Sequence, residues 1–413
     1  MSPASLPSPI RAAEPSPAPV AGSRTFRLPL DPLLTLAAIG LGIASIMTLG
    51  TATRELIPGD PNYYIKRQAI YLVVGGLFML VLSRIDYARL RQLKNGIYAL
   101  LLLSILAVLA AGHATNGAQR AISLPFFSFQ GSELGKVLLI VALAAFIVER
   151  SRRLRERDTT ARVLIAALIP AMLVIAQPDL GSGLVYMVIA LVLLFVAGTP
   201  WRQLAAILAL VCVSVTVVLV AAPALGVHVL KPYQTERLTA FLHPSSNFQE
   251  IKERESKTSE PDPAYQLAES KIALGSGQKT GQGSHSTQLT GSYLPEDDTD
   301  FVFAAAGEQY GFLGAGLVLC LYALLIWRTL RILTMSKDLF GSLIAAGVVA
   351  MLMFQVFVNV GMTIGIMPIT GVTLPLISYG GSSVIATFLA VGLLQSIYVR
   401  ARATAALKGR VPI

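Results

Sequence analysis

Long apolar runs, separated by short polar segments, dominate the chain from Leu33 to Val399. A helix needs about 20 apolar residues to cross a bilayer, so these runs predict ten spanning helices. They lie near 33–50, 68–84, 97–112, 134–148, 163–177, 183–199, 204–224, 301–327, 340–366 and 380–399. The pattern therefore predicts an all-α integral membrane protein, with a single ten-helix domain over residues 31–400.

The composition supports this interpretation. Hydrophobic residues make up 54% of the 413 residues, charged residues only 14%, and the mean hydropathy is +0.65. Soluble domains carry about 25% charged residues, so a soluble enzyme, a disordered protein and a secreted disulfide scaffold are excluded. Cys212 and Cys320 lie inside apolar runs, where we expect small buried apolar residues without a disulfide or metal role.

The net charge of +10 has a membrane explanation, because cytoplasmic loops concentrate Lys and Arg. Basic residues cluster after alternate spans, at Arg84, Arg89, Arg91 and Lys94, at six arginines within 150–162, at Arg328, Arg331 and Lys337, and at Arg400, Arg402, Lys408 and Arg410. This distribution predicts that both tails are cytoplasmic, the C-terminal one over 401–413 and the N-terminal one over 1–30, which is rich in Pro, Ala and Ser and which we expect to be disordered. No nucleic-acid partner is needed to explain the charge.

A long loop over 225–300, between the seventh and eighth spans, then falls on the outer side. It holds 11 of the 23 acidic residues. Its 264–274 segment has helical periodicity, which predicts an amphipathic helix at the membrane surface. The glycine-rich run over 275–283 lacks the Gly-Lys-Ser/Thr sequence of a phosphate-binding P-loop, so we predict a flexible re-entrant loop.

Charged residues occur inside or between predicted spans, where they are costly and usually mark function. They are Glu133, Lys136, Asp179 and Glu308. Glu133 and Lys136 are three residues apart, so their side chains meet on one helix face. These groups either pair to hold the bundle together or line a polar cavity for a substrate headgroup, and both interpretations stay open.

Two segments next to predicted spans carry candidate chemistry. Asp300 adjoins the apolar Phe301 at the edge of the bilayer, where desolvation raises a carboxyl pKa toward that of a useful base. For Glu296 and Asp297 we expect only a solvated loop and helix capping. The uncharged 367–383 segment is rich in Pro, Gly and Ser. It predicts a broken segment that dips in from the outer side and is buried in protein.

Five sequence blocks occur in the order typical of one membrane-protein family. They are Asn116-Gly-Ala-Gln-Arg120, Ser132-Glu-Leu-Gly-Lys136, Gln177-Pro-Asp-Leu-Gly181, the glycine-rich run leading to Leu294-Pro-Glu and Thr-Asp-Phe301, and Asn359-Val-Gly-Met-Thr-Ile-Gly365 through Ser378-Tyr-Gly-Gly-Ser-Ser383. Over residues 30–400 the chain resembles the SEDS family (shape, elongation, division, sporulation). Gln119-Arg120 and the 361–365 stretch are more similar to its elongation branch (RodA-like) than to its division branch (FtsW-like).

The resemblance implies a peptidoglycan glycosyltransferase with ten spans in the bacterial inner membrane. Such proteins polymerise lipid II at the outer face, for cell elongation and rod shape in the elongation branch, and work with a class B penicillin-binding protein. The resemblance places the family's essential aspartate at Asp300. It places charged cavity residues at Glu133, Lys136 and Asp179. Further candidate substrate-binding residues in the matched blocks are Arg120, Lys279, Ser378 and Ser382.

The sequence departs from the family pattern at three positions. Asp298 replaces a usual His, Gly131 a usual Pro and Ala121 a usual Trp. Asp298 makes the site more acidic, so Asp298 and Asp300 are candidate ligands for Mg²⁺ or Mn²⁺, which prefer carboxylate oxygens. Asp298-Thr-Asp300 also matches the Asp-x-Asp motif of soluble nucleotide-sugar transferases, but no nucleotide-binding fold accompanies it. The alternatives are a lipid II flippase, a division polymerase and a scaffold that only recruits the transpeptidase.

Overall fold

The computed structural model describes residues 30–53, 60, 62–115, 118–124, 127–217, 237, 241, 263–283 and 298–407. Its helices are α1 (Pro32–Ala52), α2 (Tyr63–Arg84), the single turn α3 (Tyr87–Leu90), α4 (Lys94–Ala111), α5 (Gly131–Glu149), α6 (Arg157–Ala176), α7 (Leu180–Val196), α8 (Trp201–Thr216), α9 (Pro263–Ser276), α10 (Val302–Met335), α11 (Leu339–Ile364) and α12 (Gly381–Leu407). A small antiparallel sheet of β1 (His113–Thr115), β2 (Ala118–Ser123) and β3 (Ser128–Phe129) joins α4 to α5.

Each of the ten predicted spans coincides with a helix, so the predicted fold class is confirmed. Within the described residues, eight helices are long and apolar enough to cross a membrane, and α7 and α8 are shorter apolar helices. The boundaries differ at two places that matter below. The second span was predicted to begin at residue 68, but α2 begins at Tyr63, and α12 continues to Leu407 through part of the predicted C-terminal tail. Residues 1–29 and most of 225–300 lie outside the described residues.

The helices α5, α11 and α12 form the enclosed centre of the bundle, whereas α2, α4 and α10 leave much of their apolar surface exposed. Small residues permit this close helix packing, as is common where helices contact each other within membranes. A Cβ at Gly75 of α2 would lie 2.5 Å from Phe388 of α12, and one at Gly347 of α11 would lie 2.7 Å from Ile140 of α5.

The prediction that both cysteines are buried is wrong. Cys212 on α8 and Cys320 on α10 are exposed at the outer surface of the bundle. The apolar runs that contain them have an outward face, and on a spanning helix this face meets lipid rather than other helices. An apolar run thus indicates contact with an apolar environment, which is either protein or lipid.

The helix predicted over 264–274 is confirmed as α9, but it does not lie alone on a surface. It packs against α10 and α11 through buried Tyr265, Leu267 and Ala273. The Ser270 hydroxyl donates a hydrogen bond of 2.9 Å to the carbonyl of Thr363 on α11. This part of the 225–300 loop is therefore anchored to the bundle.

The prediction of a flexible glycine-rich run is wrong for residues 277–283. Helix α10 is kinked at Gly311, whose φ of 65° and ψ of −164° are not helical. The amides of Phe312 and Leu313 donate instead to the carbonyls of Gln278 (2.8 Å) and Lys279 (3.2 Å). Because glycine has no side chain, the backbone of the run and that of α10 can approach closely. The run therefore packs into the kink of α10 with a defined structure.

This contact predicts that alanine substitutions at two glycines of α10 differ greatly in their effect on stability. Gly311→Ala adds a Cβ that would lie 2.3 Å from the Gly281 amide nitrogen, at a positive φ. We expect the free energy of unfolding to fall by about 1–3 kcal/mol or more. Gly316→Ala is the control, because nothing lies within 4 Å of its added Cβ. Thermal unfolding in detergent measures both, and equal unfolding midpoints for the two variants would contradict the proposed close contact.

Candidate functional site

The turn over 298–300, directly before α10, is held by its backbone. The Tyr379 amide donates to the Asp298 carbonyl (2.8 Å). The Ser378 hydroxyl donates to the Thr299 carbonyl (2.6 Å), and the Asn359 side-chain amide donates to the Asp300 carbonyl (2.8 Å). Three successive carbonyls thus have fixed partners, while Asp298 and Asp300 themselves are half-buried and Phe301 is fully buried. Asp300 accordingly lies at the edge of the apolar core.

The segment between α11 and α12 supplies two of these donors. It is irregular from Gly365 to Gly380, and its Leu374, Leu376 and Ile377 are fully buried. The prediction of irregular backbone buried in protein is therefore confirmed. Buried side chains satisfy its carbonyls, as such a segment requires. Ser45 donates to Ile377 (2.7 Å), Gln68 to Ser378 (3.3 Å), and the Tyr322 hydroxyl to Pro375.

The same segment connects the 298–300 turn to α5. Asn359 donates a second hydrogen bond, also of 2.8 Å, to the carbonyl of Val372. The next side chain, Thr373, donates to Glu133 Oε1 at 3.3 Å. The backbone of Asp300 and the carboxylate of Glu133 therefore belong to one hydrogen-bonded framework, although 167 positions of sequence separate the two residues.

Glu133 and Lys136 form an ion pair inside the bundle. The Lys136 ammonium lies 2.7 Å from Glu133 Oε1, and the two side chains are only 2% and 5% exposed. Because both charges are withdrawn from water, each neutralises the other. The structure thus shows the pairing arrangement anticipated from the sequence, directly next to the segment that carries Thr373.

Asp179 has a separate set of partners. It caps α7 by accepting from the Ser182 amide at 3.0 Å, and its other oxygen accepts from the hydroxyl of Ser132 (2.9 Å) and the side chain of Gln130 (3.4 Å). Ser132 precedes Glu133 in α5, so the Asp179 cluster and the ion pair are neighbours. The buried Asp179 stabilises the junction between α5 and α7.

The remaining predicted site residues are more dispersed. Ser382 joins α12 to β3 and α5 by donating to the carbonyl of Ser128 (2.8 Å) and accepting from the amide of Gln130 (2.9 Å). Lys279 is exposed, and Glu308 is fully buried in α10. Arg120 lies in β2, but its side chain, like residues 296 and 297, lies outside the described part.

Sequence reasoning missed Arg67. This residue lies in the first turns of α2, half-buried, with its guanidinium 4.4 Å from the centre of the Tyr63 ring. It also hydrogen-bonds the hydroxyl of Tyr379, the residue whose amide holds Asp298. Burial raises the pKa of that hydroxyl, so Tyr379 stays protonated at neutral pH. Arg67 is thus connected through Tyr379 to the acidic turn.

Asn359 is expected to position Asp300, since its side-chain amide bridges the carbonyls of Asp300 and Val372. Asn359→Ala leaves both carbonyls without this donor, and we expect kcat to fall about tenfold or more while KM changes little. Thr363→Val, which removes a hydrogen bond inside α11, is the matched control. Steady-state kinetics on folded protein would contradict the positioning role if both variants lost the same activity.

The described residues include no group of three or more His, Cys, Asp or Glu side chains arranged to hold a metal ion. The 298–300 turn nevertheless offers two carboxylates, those of Asp298 and Asp300. Mg²⁺ is commonly held by one or two carboxylates together with substrate phosphates. This donor set therefore fits a divalent cation that takes its remaining ligands from outside the described residues.

Comparisons with known proteins identify the family. The sequence profile of the FtsW/RodA/SpoVE cell cycle proteins matches residues 30–403. The chain is 34% identical to the peptidoglycan glycosyltransferase MrdB of Escherichia coli, covering 91% of this chain and 95% of the relative. It is also 34% identical to a probable peptidoglycan glycosyltransferase FtsW of Thioalkalivibrio sulfidiphilus, covering 89% and 88%.

A solved structure is similar over nearly its whole length. It was described under "Structural coordination of polymerization and crosslinking by a peptidoglycan synthase complex", and the match has a TM-score of 0.73 at 31% identity, covering 91% of this chain and 99% of that chain. The family indicated by the sequence motifs is thereby confirmed. With ten apolar helices among its described residues and a profile match over most of its length, the chain belongs to the FtsW/RodA/SpoVE, or SEDS, family of multi-pass membrane proteins.

Proposed function

We propose that this peptidoglycan glycosyltransferase polymerises lipid II into glycan strands, with Asp300 as the general base. The observation that carries the proposal is the framework of Ser378, Tyr379 and Asn359, which fixes the three carbonyls of the 298–300 turn. A base must be held within hydrogen-bond reach of its proton. The framework fixes the backbone that presents Asp300, at the edge of an apolar core.

In this proposal the reaction is a single displacement with inversion. Asp300 accepts the proton of the acceptor sugar's 4-hydroxyl, and that oxygen forms a bond to the anomeric carbon of the donor. The bond between that carbon and the diphosphate oxygen breaks, and undecaprenyl diphosphate leaves. Cationic side chains stabilise the departing negative charge. Arg67 is connected to the turn through Tyr379, and Arg120 and Lys136 are further candidates.

The buried state of Lys136 limits its role. Its ammonium is already neutralised by Glu133, so direct contact with a diphosphate requires that it exchange one partner for another. We therefore assign the Glu133–Lys136 pair first to the support of Thr373 and the 365–380 segment. The polyprenyl tails lie along the exposed apolar helix faces, which keeps the reacting sugars at the membrane boundary.

A divalent cation held by Asp298 and Asp300 would add charge neutralisation at the diphosphate. We expect EDTA to lower polymerisation and added Mg²⁺ or Mn²⁺ to restore it. Asp298→Asn should raise the cation concentration needed for half-maximal rate by about tenfold, because one carboxylate ligand is lost. The titration is measured with purified protein. A rate that is insensitive to EDTA would remove the metal from the proposal.

We further propose that the chain lies in the bacterial inner membrane with both termini cytoplasmic, because its basic clusters follow alternate spans. A class B penicillin-binding protein is the proposed partner, in line with the peptidoglycan synthase complex of the structural neighbour. For the biological role we favour elongation and rod shape over division. The support is the resemblance of the 361–365 stretch to the elongation branch.

The rival function is a lipid II flippase, and two assays on one purified sample separate it from a polymerase. The first follows glycan strands formed from lipid II in detergent, with and without the partner. The second follows movement of labelled lipid II across vesicles that contain the protein. We expect strands in the first assay. Flipping without any strand formation, in the presence of the partner, would contradict the proposed function.

A further inference from the structure

A basic groove lies at the end of the bundle opposite to the 298–300 turn. It is a cavity of about 430 Å³ between the last turns of α10 and α12. Its cationic side chains are Arg328, Lys337 and Arg402, and its apolar wall includes Met335 and Ala401. We call these five residues the basic groove. It has no part in the proposed reaction.

The charges of the basic groove are only partly balanced. Arg328 is paired with the buried carboxylate of Asp31. Arg402 donates to the hydroxyl of Tyr398 at 3.1 Å, but within the described ranges no carboxylate forms an ion pair with Arg402 or Lys337. Asp338 follows Lys337 in the sequence, yet its side chain caps α11 and accepts from Tyr87. Two positive charges of the basic groove therefore line the cavity without a carboxylate partner among the described residues.

The chain's own terminal sequences are poor candidates to fill it. Residues 1–29 contain three arginines and a single glutamate, and residues 408–413 contain Lys408 and Arg410 but no acidic residue. Like charges repel, so neither terminal sequence complements a basic surface. Charge complementarity calls for an external anion.

The position of the basic groove favours a lipid over a soluble anion. Along the exposed face of α10, the apolar Trp327 and Leu330 are followed by Arg331, and tryptophan is typical of the membrane–water boundary. Arg328 and Lys337 lie on either side of this transition from apolar to basic side chains. Met335 and Ala401 add an apolar wall beside the cations, which suits a ligand with a charged head and an apolar tail.

We propose that the basic groove binds the headgroup of an anionic phospholipid. Arg402 and Lys337 contact the phosphate, since guanidinium and ammonium groups bind phosphate through charged hydrogen bonds. Met335 and Ala401 contact the start of an acyl chain. Basic pockets between spanning helices are suited to such headgroups. The lipid would join the ends of α10 and α12.

Native mass spectrometry of the full chain in detergent tests this proposal. The probes are dioleoyl phosphatidylglycerol and dioleoyl phosphatidylcholine at equal concentration. We expect the unsubstituted protein to retain phosphatidylglycerol preferentially, and Lys337→Gln/Arg402→Gln to weaken its binding about tenfold or more. Arg152→Gln/Arg153→Gln is the matched control, because it removes two exposed arginines from the same end of the bundle, and it should bind as the unsubstituted protein does.

Thermal unfolding without added lipid is measured on both double variants to check that they are folded. Two results would overturn the proposal. One is an equal loss of phosphatidylglycerol in the control and the groove variants, which would indicate a general charge effect. The other is equal retention of phosphatidylcholine and phosphatidylglycerol by the unsubstituted protein, which would show that the negative headgroup is not recognised.

Discussion

Lys136→Met is expected to lower the free energy of unfolding by about 3–5 kcal/mol, because it leaves the buried Glu133 carboxylate without its partner. Adding Glu133→Gln should return most of that stability. The double variant contains no buried charge at these positions, and its new amide still offers an oxygen to the Thr373 hydroxyl. Replacing both members of a buried ion pair is often neutral or stabilising, whereas removing one is costly.

Measurements of activity distinguish a purely structural role of the Glu133–Lys136 pair from a role in binding or positioning the substrate. If Glu133 and Lys136 also take part in binding or positioning the substrate, the stable double variant should polymerise lipid II at least tenfold more slowly than the unsubstituted protein. Thermal unfolding and strand formation are measured on the same preparations. A double variant that is both stable and fully active would show that the pair serves the fold alone.

Asp300→Asn is expected to reduce polymerisation by a factor of about 10²–10⁴, the usual contribution of a general base. The change removes the proton acceptor but preserves the size of the side chain. The Asn359 contact that holds the turn uses the Asp300 carbonyl, which the substitution leaves unchanged. The variant should therefore unfold at the same temperature as the unsubstituted protein.

Asp298→Asn is the matched control for this prediction, since it removes a carboxylate from the same half-buried turn. At saturating Mg²⁺ we expect it to keep most of its activity. Losses of similar size for Asp298→Asn and Asp300→Asn would mean that the net charge of the turn matters more than one particular base.

The fold was largely predictable because a bilayer imposes one strong constraint. Every spanning segment must be a helix of sufficient apolar length, and all ten predicted runs coincide with helices. The broken segment before α12 was also predictable, because Pro368, Pro375 and the neighbouring glycines rule out a regular helix. These are properties of local composition.

What the sequence did not show depends on contacts between distant residues. The glycine-rich run is held in a defined structure because α10 is kinked at Gly311. The kink frees the amides of Phe312 and Leu313 from the helix, and they donate to carbonyls of the run. Arg67 was missed because the second span was predicted from apolar residues alone, and α2 begins five residues earlier. A charged residue just outside an apolar run deserves the same scrutiny as one inside it.

The framework of the site also escaped sequence reasoning. Asn359 was part of a recognised motif, but nothing in the motif predicts that its amide bridges Asp300 and Val372. The same is true of Thr373, whose hydroxyl reaches Glu133. Such roles depend on the packing of α11 between α5 and α10, which periodicity alone does not determine.

The initial rate of lipid II polymerisation by purified protein, unsubstituted and as Asp300→Asn, tests the central claim most directly. Both proteins are compared with the same partner, detergent and Mg²⁺ concentration, after their unfolding temperatures have been matched. We expect the substituted protein to be at least a hundredfold slower. A rate within threefold of the unsubstituted protein would show that the carboxylate of Asp300 is not the base.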